Sequence, residues 1–180
     1  MLVILFSQDL PCLKMVDLSN SKYLLESLNF AGSRRFERLD FTGCINLSYV
    51  HPSIGLLEEL TFLSLEGCSS LVQLVLHDDT ASRLYSLKVL HLSGCTNLET
   101  MPGFTGVSSL EYLDIDQCVS LSTIDHSIGD LVQLKFLSLR DCTNLVSTRK
   151  HLLYDFSCSY RFMWLLRTTK STLAEKHTSV

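Results

Sequence analysis

Cys44, Cys68, Cys95, Cys118 and Cys142 follow one another at intervals of 24, 27, 23 and 24 residues. Thiols placed so regularly could ligate a metal, relay electrons or close disulfides, and each use has a requirement. A tetrahedral thiolate site needs ligands at short paired spacings such as C-x-x-C, and none of the seven cysteines is paired in that way. An odd count leaves one thiol outside any complete disulfide framework, so a reducing compartment is the simpler inference. One cysteine per two dozen residues fits a structural position that returns once per turn of a coil. No other chemistry competes with it. The chain lacks G-x-x-x-x-G-K-[ST], H-E-x-x-H and G-x-S-x-G, the signatures of phosphate loops, zinc peptidases and nucleophile elbows. His51, His77, His91, His126, His151 and His177 are scattered without ligand spacing and read as surface or turn residues. Asn46-Leu47-Ser48 has the form of a glycosylation acceptor, but Leu47 is expected in the core and the triplet is discounted.

The phrase around each cysteine supplies the repeat. LDFTGCINL (39–47), LSLEGCSSL (63–71), LHLSGCTNL (90–98), LDIDQCVSL (113–121) and LSLRDCTNL (137–145) share one pattern, and LKMVDLSNSKYL (13–24) carries Ser21 in the cysteine slot. Six units therefore fit L-x-x-L-x-L-x-x-[C/S]-x-x-L, which resembles the leucine-rich repeat, a unit of about 20 to 29 residues. At an offset of 74 residues, 25 of the 61 pairs between 13–73 and 87–147 are identical. The clearest pair is VHPSIGLLEELTFLSLEGCSSLV (50–72) with IDHSIGDLVQLKFLSLRDCTNLV (124–146). A duplication of a three-repeat block accounts for both periods.

Periodicity gives geometry. Around Phe62 to Glu66 the residues alternate, which places Leu63 and Leu65 on one face and Phe62, Ser64 and Glu66 on the other. A strand this short is unstable alone and must pair with its equivalent one repeat away. The rest of each repeat must cross back, and Pro52, Pro102 and the glycines at 55, 103, 106 and 129 favour turns and short helical pieces there. His51-Pro52-Ser53-Ile54-Gly55 and His126-Ser127-Ile128-Gly129 look like two such returns. The expected fold class is an α/β repeat solenoid: a horseshoe segment of six coils, with short parallel strands on the concave face and an irregular or short-helical convex side. Ser21 and the five repeating cysteines then stand at the inward corner after each strand. Cysteine suits an apolar interior and offers a weak S–H donor to backbone carbonyls left at the bend.

With 46% hydrophobic and 19% charged residues, 180 residues suffice for one continuous core. A net charge of −4 gives no global basic footprint for nucleic acid. The longest early apolar run, LVILF at 2–6, is too short for a signal core or a membrane span. The candidate site is the outward array of strand residues. Its first column reads Met15, Arg38, Phe62, Val89, Tyr112, Phe136; its second Asp17, Asp40, Ser64, His91, Asp114, Ser138; its third Ser19, Thr42, Glu66, Ser93, Asp116, Arg140. Exposed aromatics and arginines are enriched at protein interfaces. Arg38, Asp40, Phe62, Glu66, His91, Tyr112, Asp114, Asp116, Phe136 and Arg140 are therefore the expected protein-binding residues. Ordinary solvation, or cover by another domain, is the bland alternative.

Three segments are expected. Residues 1–12 form a lead-in that reads as cut from a longer chain, 13–148 hold the six repeats, and 149–180 form a tail in which no repeat can be threaded. The tail has six Lys or Arg against two acids, whereas residues 1–148 have nine against 17. A cap built from Leu152, Phe156, Phe162, Trp164 and Leu165, a basic aromatic binding segment, or the product of truncation or a changed reading frame each fits this composition.

LHLSGCTNL, VHPSIGLLEELTFLSL and LEYLDIDQCVSL resemble the repeat region of plant intracellular immune receptors with an N-terminal TIR domain and a nucleotide-binding domain; the resemblance spans about residues 8–147. It implies a non-enzymatic recognition and regulatory module, cytoplasmic or nuclear, for pathogen effector sensing and defence signalling. It also implies a protein partner, namely an effector, a guarded host protein or the receptor's own nucleotide-binding domain. No nucleic acid, membrane span or cofactor in this chain is implied, since ADP or ATP binds in a domain it lacks. A standalone adaptor or decoy scaffold is the alternative, and an enzyme of small substrates would need a deep polar pocket that a thin sheet rarely supplies.

Overall fold

The computed structural model describes residues 12–31, 35–76 and 83–145. Six strands, β1 (Met15–Asp17), β2 (Arg38–Asp40), β3 (Phe62–Ser64), β4 (Val89–His91), β5 (Tyr112–Asp114) and β6 (Phe136–Ser138), form one sheet in sequence order. All neighbours are parallel and in register, so Met15, Arg38, Phe62, Val89, Tyr112 and Phe136 align as one row. The lead-in other than Cys12, and the tail at 149–180, lie outside the described residues.

Every strand buries its middle residue, Val16, Leu39, Leu63, Leu90, Leu113 or Leu137, against one continuous core. The alternation of side chains then turns the first and third strand residues to the opposite face, although Ser64 and Ser138, expected among the outward residues, are covered there and buried. Pairing outlasts the strands. Phe41 N–H donates to Ser64 O and Gly43 N–H to Glu66 O, and the same two bonds recur between later coils. The ladder therefore runs on to the residue before each corner, which is the step that turns the chain inward.

The residue before the corner always has a positive φ: Asn20, Gly43, Gly67, Gly94, Gln117 and Asp141 lie between 57° and 75°. Only glycine enters this region without a steric cost. This explains the Gly-Cys pairs of the sequence, and it exposes three coils that meet the requirement with Asn20, Gln117 and Asp141.

At the five cysteine corners the thiol completes a polar contact between coils. Cys44 Sγ donates to Leu18 O, Cys68 Sγ to Phe41 O, Cys95 Sγ to Leu65 O, Cys118 Sγ to Leu92 O and Cys142 Sγ to Ile115 O, at 3.0 to 3.3 Å. Phe41 O also accepts the amide of Cys44 in its own coil, so both lone pairs of a buried carbonyl are used. Burial pushes the Cys68 and Cys118 thiols up to about 12 and Cys142 to about 11. The Cys95 thiol is raised well above its ordinary value for the same reason. Thiols held protonated in this way are poor nucleophiles and poor metal ligands, and the described residues contain no cluster of three metal-ligating side chains.

The two motifs expected as returns form 3-10 turns at Pro52–Leu56 and His126–Asp130. The motif gains a reason in the buried Ser53 and Ser127, whose hydroxyls accept the amides of Phe30 and Phe104, both at 2.8 Å. The four residues correspond at the 74-residue offset. His51 caps the first turn, its Nδ1 accepting the Ser53 amide, and the Asp125 carboxylate takes that role in the second. One cap thus uses an imidazole where its duplicate uses a carboxylate.

Candidate protein-binding face

The outward strand residues form an uninterrupted side-chain ladder. The Arg38 guanidinium lies 3.4 Å from the centre of the Phe62 ring. Phe62 is 5.7 Å from His91, His91 is 5.0 Å from Tyr112, and Tyr112 stacks on Phe136 at 4.3 Å with 5° between the planes. Val89 occupies the fourth position of the aromatic row, and its small side chain would break the run. His91 leans across from the second row and restores it. Strand register alone could not show this, because it assigned His91 to the polar row.

Ion pairs border the ladder on one side. The residues preceding each strand are Lys14, Glu37, Thr61, Lys88, Glu111 and Lys135, a row missed in the sequence because it lies outside the alternating segment. Lys14 pairs with Glu37 at 2.5 Å and Lys135 with Glu111 at 2.6 Å. Their hydrogen bonds raise the Lys14 ammonium and lower the Glu111 carboxyl from their ordinary values.

Carboxylates stand on the other side, and several have structural tasks. Asp40 accepts the Thr42 amide and hydroxyl and pairs with Arg38 at 3.0 Å. The Thr42 and Ser64 hydroxyls share a 2.7 Å hydrogen bond between coils. Asp116 accepts the Ser138 hydroxyl and the Arg140 amide, with Arg140 Nε 4.0 Å from its second oxygen. Asp114 accepts the Asp116 amide, and its other oxygen is 4.0 Å from His91 Nδ1. Glu66 is exposed and its carboxylate has no hydrogen bond or ion pair among the described residues. The Tyr112 hydroxyl is raised by burial and then by the fields of Asp114, Asp116 and Glu66. All ten expected site residues thus lie on one face, with Asp40 engaged by Arg38 and Thr42 of its own coil and Asp116 by Ser138 and Arg140 of the next.

A second group of exposed apolar residues, Tyr23, Leu25, Ile45, Tyr49 and Val72, follows the corners of the first three coils. At the 74-residue offset Tyr23, Leu25 and Tyr49 become Asn97, Glu99 and Thr123. That difference is visible in the sequence once the duplicated blocks are laid side by side.

In-register parallel strands, one buried leucine or valine at each strand centre, a thiol corner and a short return make the chain a leucine-rich-repeat solenoid. Its homologues are plant disease-resistance proteins of the TIR, nucleotide-binding and leucine-rich-repeat class. It is 32% identical over 138 residues to disease resistance protein RPP2A of Arabidopsis thaliana, covering 77% of this chain and 10% of that protein. It is 33% identical over 100 residues to TMV resistance protein N of Nicotiana glutinosa, covering 56% of this chain and 8% of that protein. The chain therefore spans about a tenth of the length of the curated relatives it matches. No family model matches it. Among solved structures it is similar to the leucine-rich repeat domain of the type III effector XopL, with 20% identity and a TM-score of 0.44 over 76% of this chain and 64% of that one. The T. pallidum leucine-rich repeat protein gives 14% identity and a TM-score of 0.46 over 81% and 77%.

Proposed function

We propose that this chain is a non-enzymatic recognition and regulatory segment of a plant intracellular immune receptor, binding a protein through its outward strand face. The carrying observation is the unbroken ladder from Arg38 to Phe136 on the open side of the sheet. Aromatic and arginine side chains concentrate binding energy at protein interfaces, and solenoids offer extended surfaces of this kind. Homology to resistance proteins supports the setting: a pathogen effector, a guarded host protein or the receptor's own nucleotide-binding domain is the partner, in the cytoplasm or nucleus. Any ADP or ATP belongs to that other domain, and no cofactor is proposed for this chain. No described helix is long and apolar enough to cross a membrane.

The experiment is proximity labelling in leaf tissue with the chain and with its Phe62→Ser, Tyr112→Ser, Phe136→Ser triple variant. A set of proteins labelled by the first and lost with the second is expected, with equal far-UV circular dichroism of the two purified chains. Identical labelled sets would overturn the reading. Loss of the fold would show that the three rings belong to the core.

A further inference from the structure

The charges beside the ladder point to the chemistry of its partner. On the side of the residues preceding the strands, Lys14 is matched by Glu37 and Lys135 by Glu111, and Lys88, whose charge also acts on Glu111, leaves that row one positive charge in excess. On the other side the balance is negative. Asp17, Asp40, Glu66, Asp114 and Asp116 face two guanidiniums, and Arg38 is already held between Asp40 and the Phe62 ring. Arg140 reaches only 4.0 Å from Asp116. The remaining negative charge gathers opposite Tyr112, whose hydroxyl is raised in part by Asp114, Asp116 and Glu66 together. Glu66 has no partner among the described residues.

We infer that the partner presents a basic and apolar polypeptide segment: aromatic or branched side chains against Phe62, Tyr112 and Phe136, with Lys or Arg beside Glu66 and Asp114. This rests on the reading of the strand face as a protein-binding surface and adds the sign and character of what binds. Complementary potentials across an interface steer encounter and exclude wrong partners. The same carboxylates repel phosphates, so nucleic acid and anionic lipid surfaces are disfavoured occupants. The chain itself shows the chemistry once, where Arg38 lies over an aromatic ring while its guanidinium pairs with a carboxylate. A cation so placed gains from both the ring quadrupole and the charge.

The test uses the whole chain and a phage-displayed library of random dodecapeptides, with enriched sequences then synthesised and titrated by fluorescence anisotropy. Enriched peptides are expected to carry net positive charge together with at least one aromatic or branched aliphatic residue. The Phe62→Ser, Tyr112→Ser, Phe136→Ser variant should bind them about tenfold or more weakly, the loss expected when ring anchors are truncated. Glu66→Lys should weaken them about two- to fivefold, the effect of one exposed ion pair, and should make binding less sensitive to salt. Peptides that depend on the rings but are neutral or acidic overturn the inference of charge and leave the face as a binding site. Peptides indifferent to the ring variant, cationic ones included, overturn both.

Discussion

The Tyr112 and Phe136 rings lie parallel, 4.3 Å apart, on neighbouring strands. Register alone brings these two residues opposite each other, and the planar offset contact is what remains when both first-column positions are aromatic. Such a pair contributes about 0.5 to 1.5 kcal/mol beyond its buried area. A double-mutant cycle with Tyr112→Ala and Phe136→Ala, followed by urea unfolding, should return a coupling of about 1 kcal/mol. Coupling near zero would mean that the rings do not hold this arrangement in solution.

Gln117 occupies a backbone position that three other coils give to glycine, at a φ of 60°. A side chain there costs roughly 1 to 2 kcal/mol relative to glycine, offset in part by the greater freedom of glycine in the unfolded chain. Gln117→Gly should therefore stabilise by about 0.5 to 1 kcal/mol. Gly94→Ala should do the reverse, because its φ is 75° and an added Cβ would meet Gly67 Cα and N at 3.4 Å. Thermal unfolding of the two variants beside the parent checks both signs.

The cysteine ruler and the alternation around it were legible because each encodes a packing rule repeated six times: a branched aliphatic residue, leucine in five coils and Val16 in the first, at every strand centre and a small side chain at every corner. A repeated requirement leaves a period. Relationships that occur once leave none. Nothing in LHLSGCTNL shows that His91 crosses between rows to fill the gap beside Val89, since that depends on the sizes of Phe62 and Tyr112 two coils apart. The hydrogen bond from Phe30 to Ser53 occupies the middle ground. Its residues recur only at the 74-residue offset as Phe104 and Ser127, so identity marked them while their contact became visible only in three dimensions.

That bond carries its own consequence. The Phe30 amide is buried and Ser53 Oγ accepts it at 2.8 Å. Ser53→Ala would leave a buried donor unpaired, at a cost of about 1 to 3 kcal/mol. Urea unfolding should show the loss, and Ser127→Ala should match it through Phe104. A near-neutral result at both positions would mean that water reaches those amides.

Cys95 separates corner from reagent. Its thiol donates to Leu65 O at 3.1 Å and the side chain is fully buried. Asparagine carries a stronger N–H donor for the same carbonyl, so Cys95→Asn should retain a cooperative unfolding transition. Cys95→Arg would bury an unpaired charge and should abolish that transition. Equal damage from both would remove the corner assignment.

The same burial makes stability depend on alkaline pH. An unfolded thiol ionises near pH ~8.5, whereas folded Cys68 and Cys118 hold their protons to about 12 and Cys142 to about 11. The folded state binds more protons throughout that interval, so unfolding becomes easier as pH rises; below it both states are protonated and the thiols contribute no pH dependence. Each thiol adds a slope of up to about 1.4 kcal/mol per pH unit once its unfolded form has ionised, and the raised Cys44 and Cys95 act in the same direction. Urea midpoints measured under reducing conditions should therefore be level between pH 7 and 8 and fall steeply by pH 9.5. Cys68→Ala with Cys118→Ala should lower the plateau, through lost packing, yet make the fall shallower. An unchanged slope in that double variant would show that the thiols ionise within the folded chain and are not sealed at the corners.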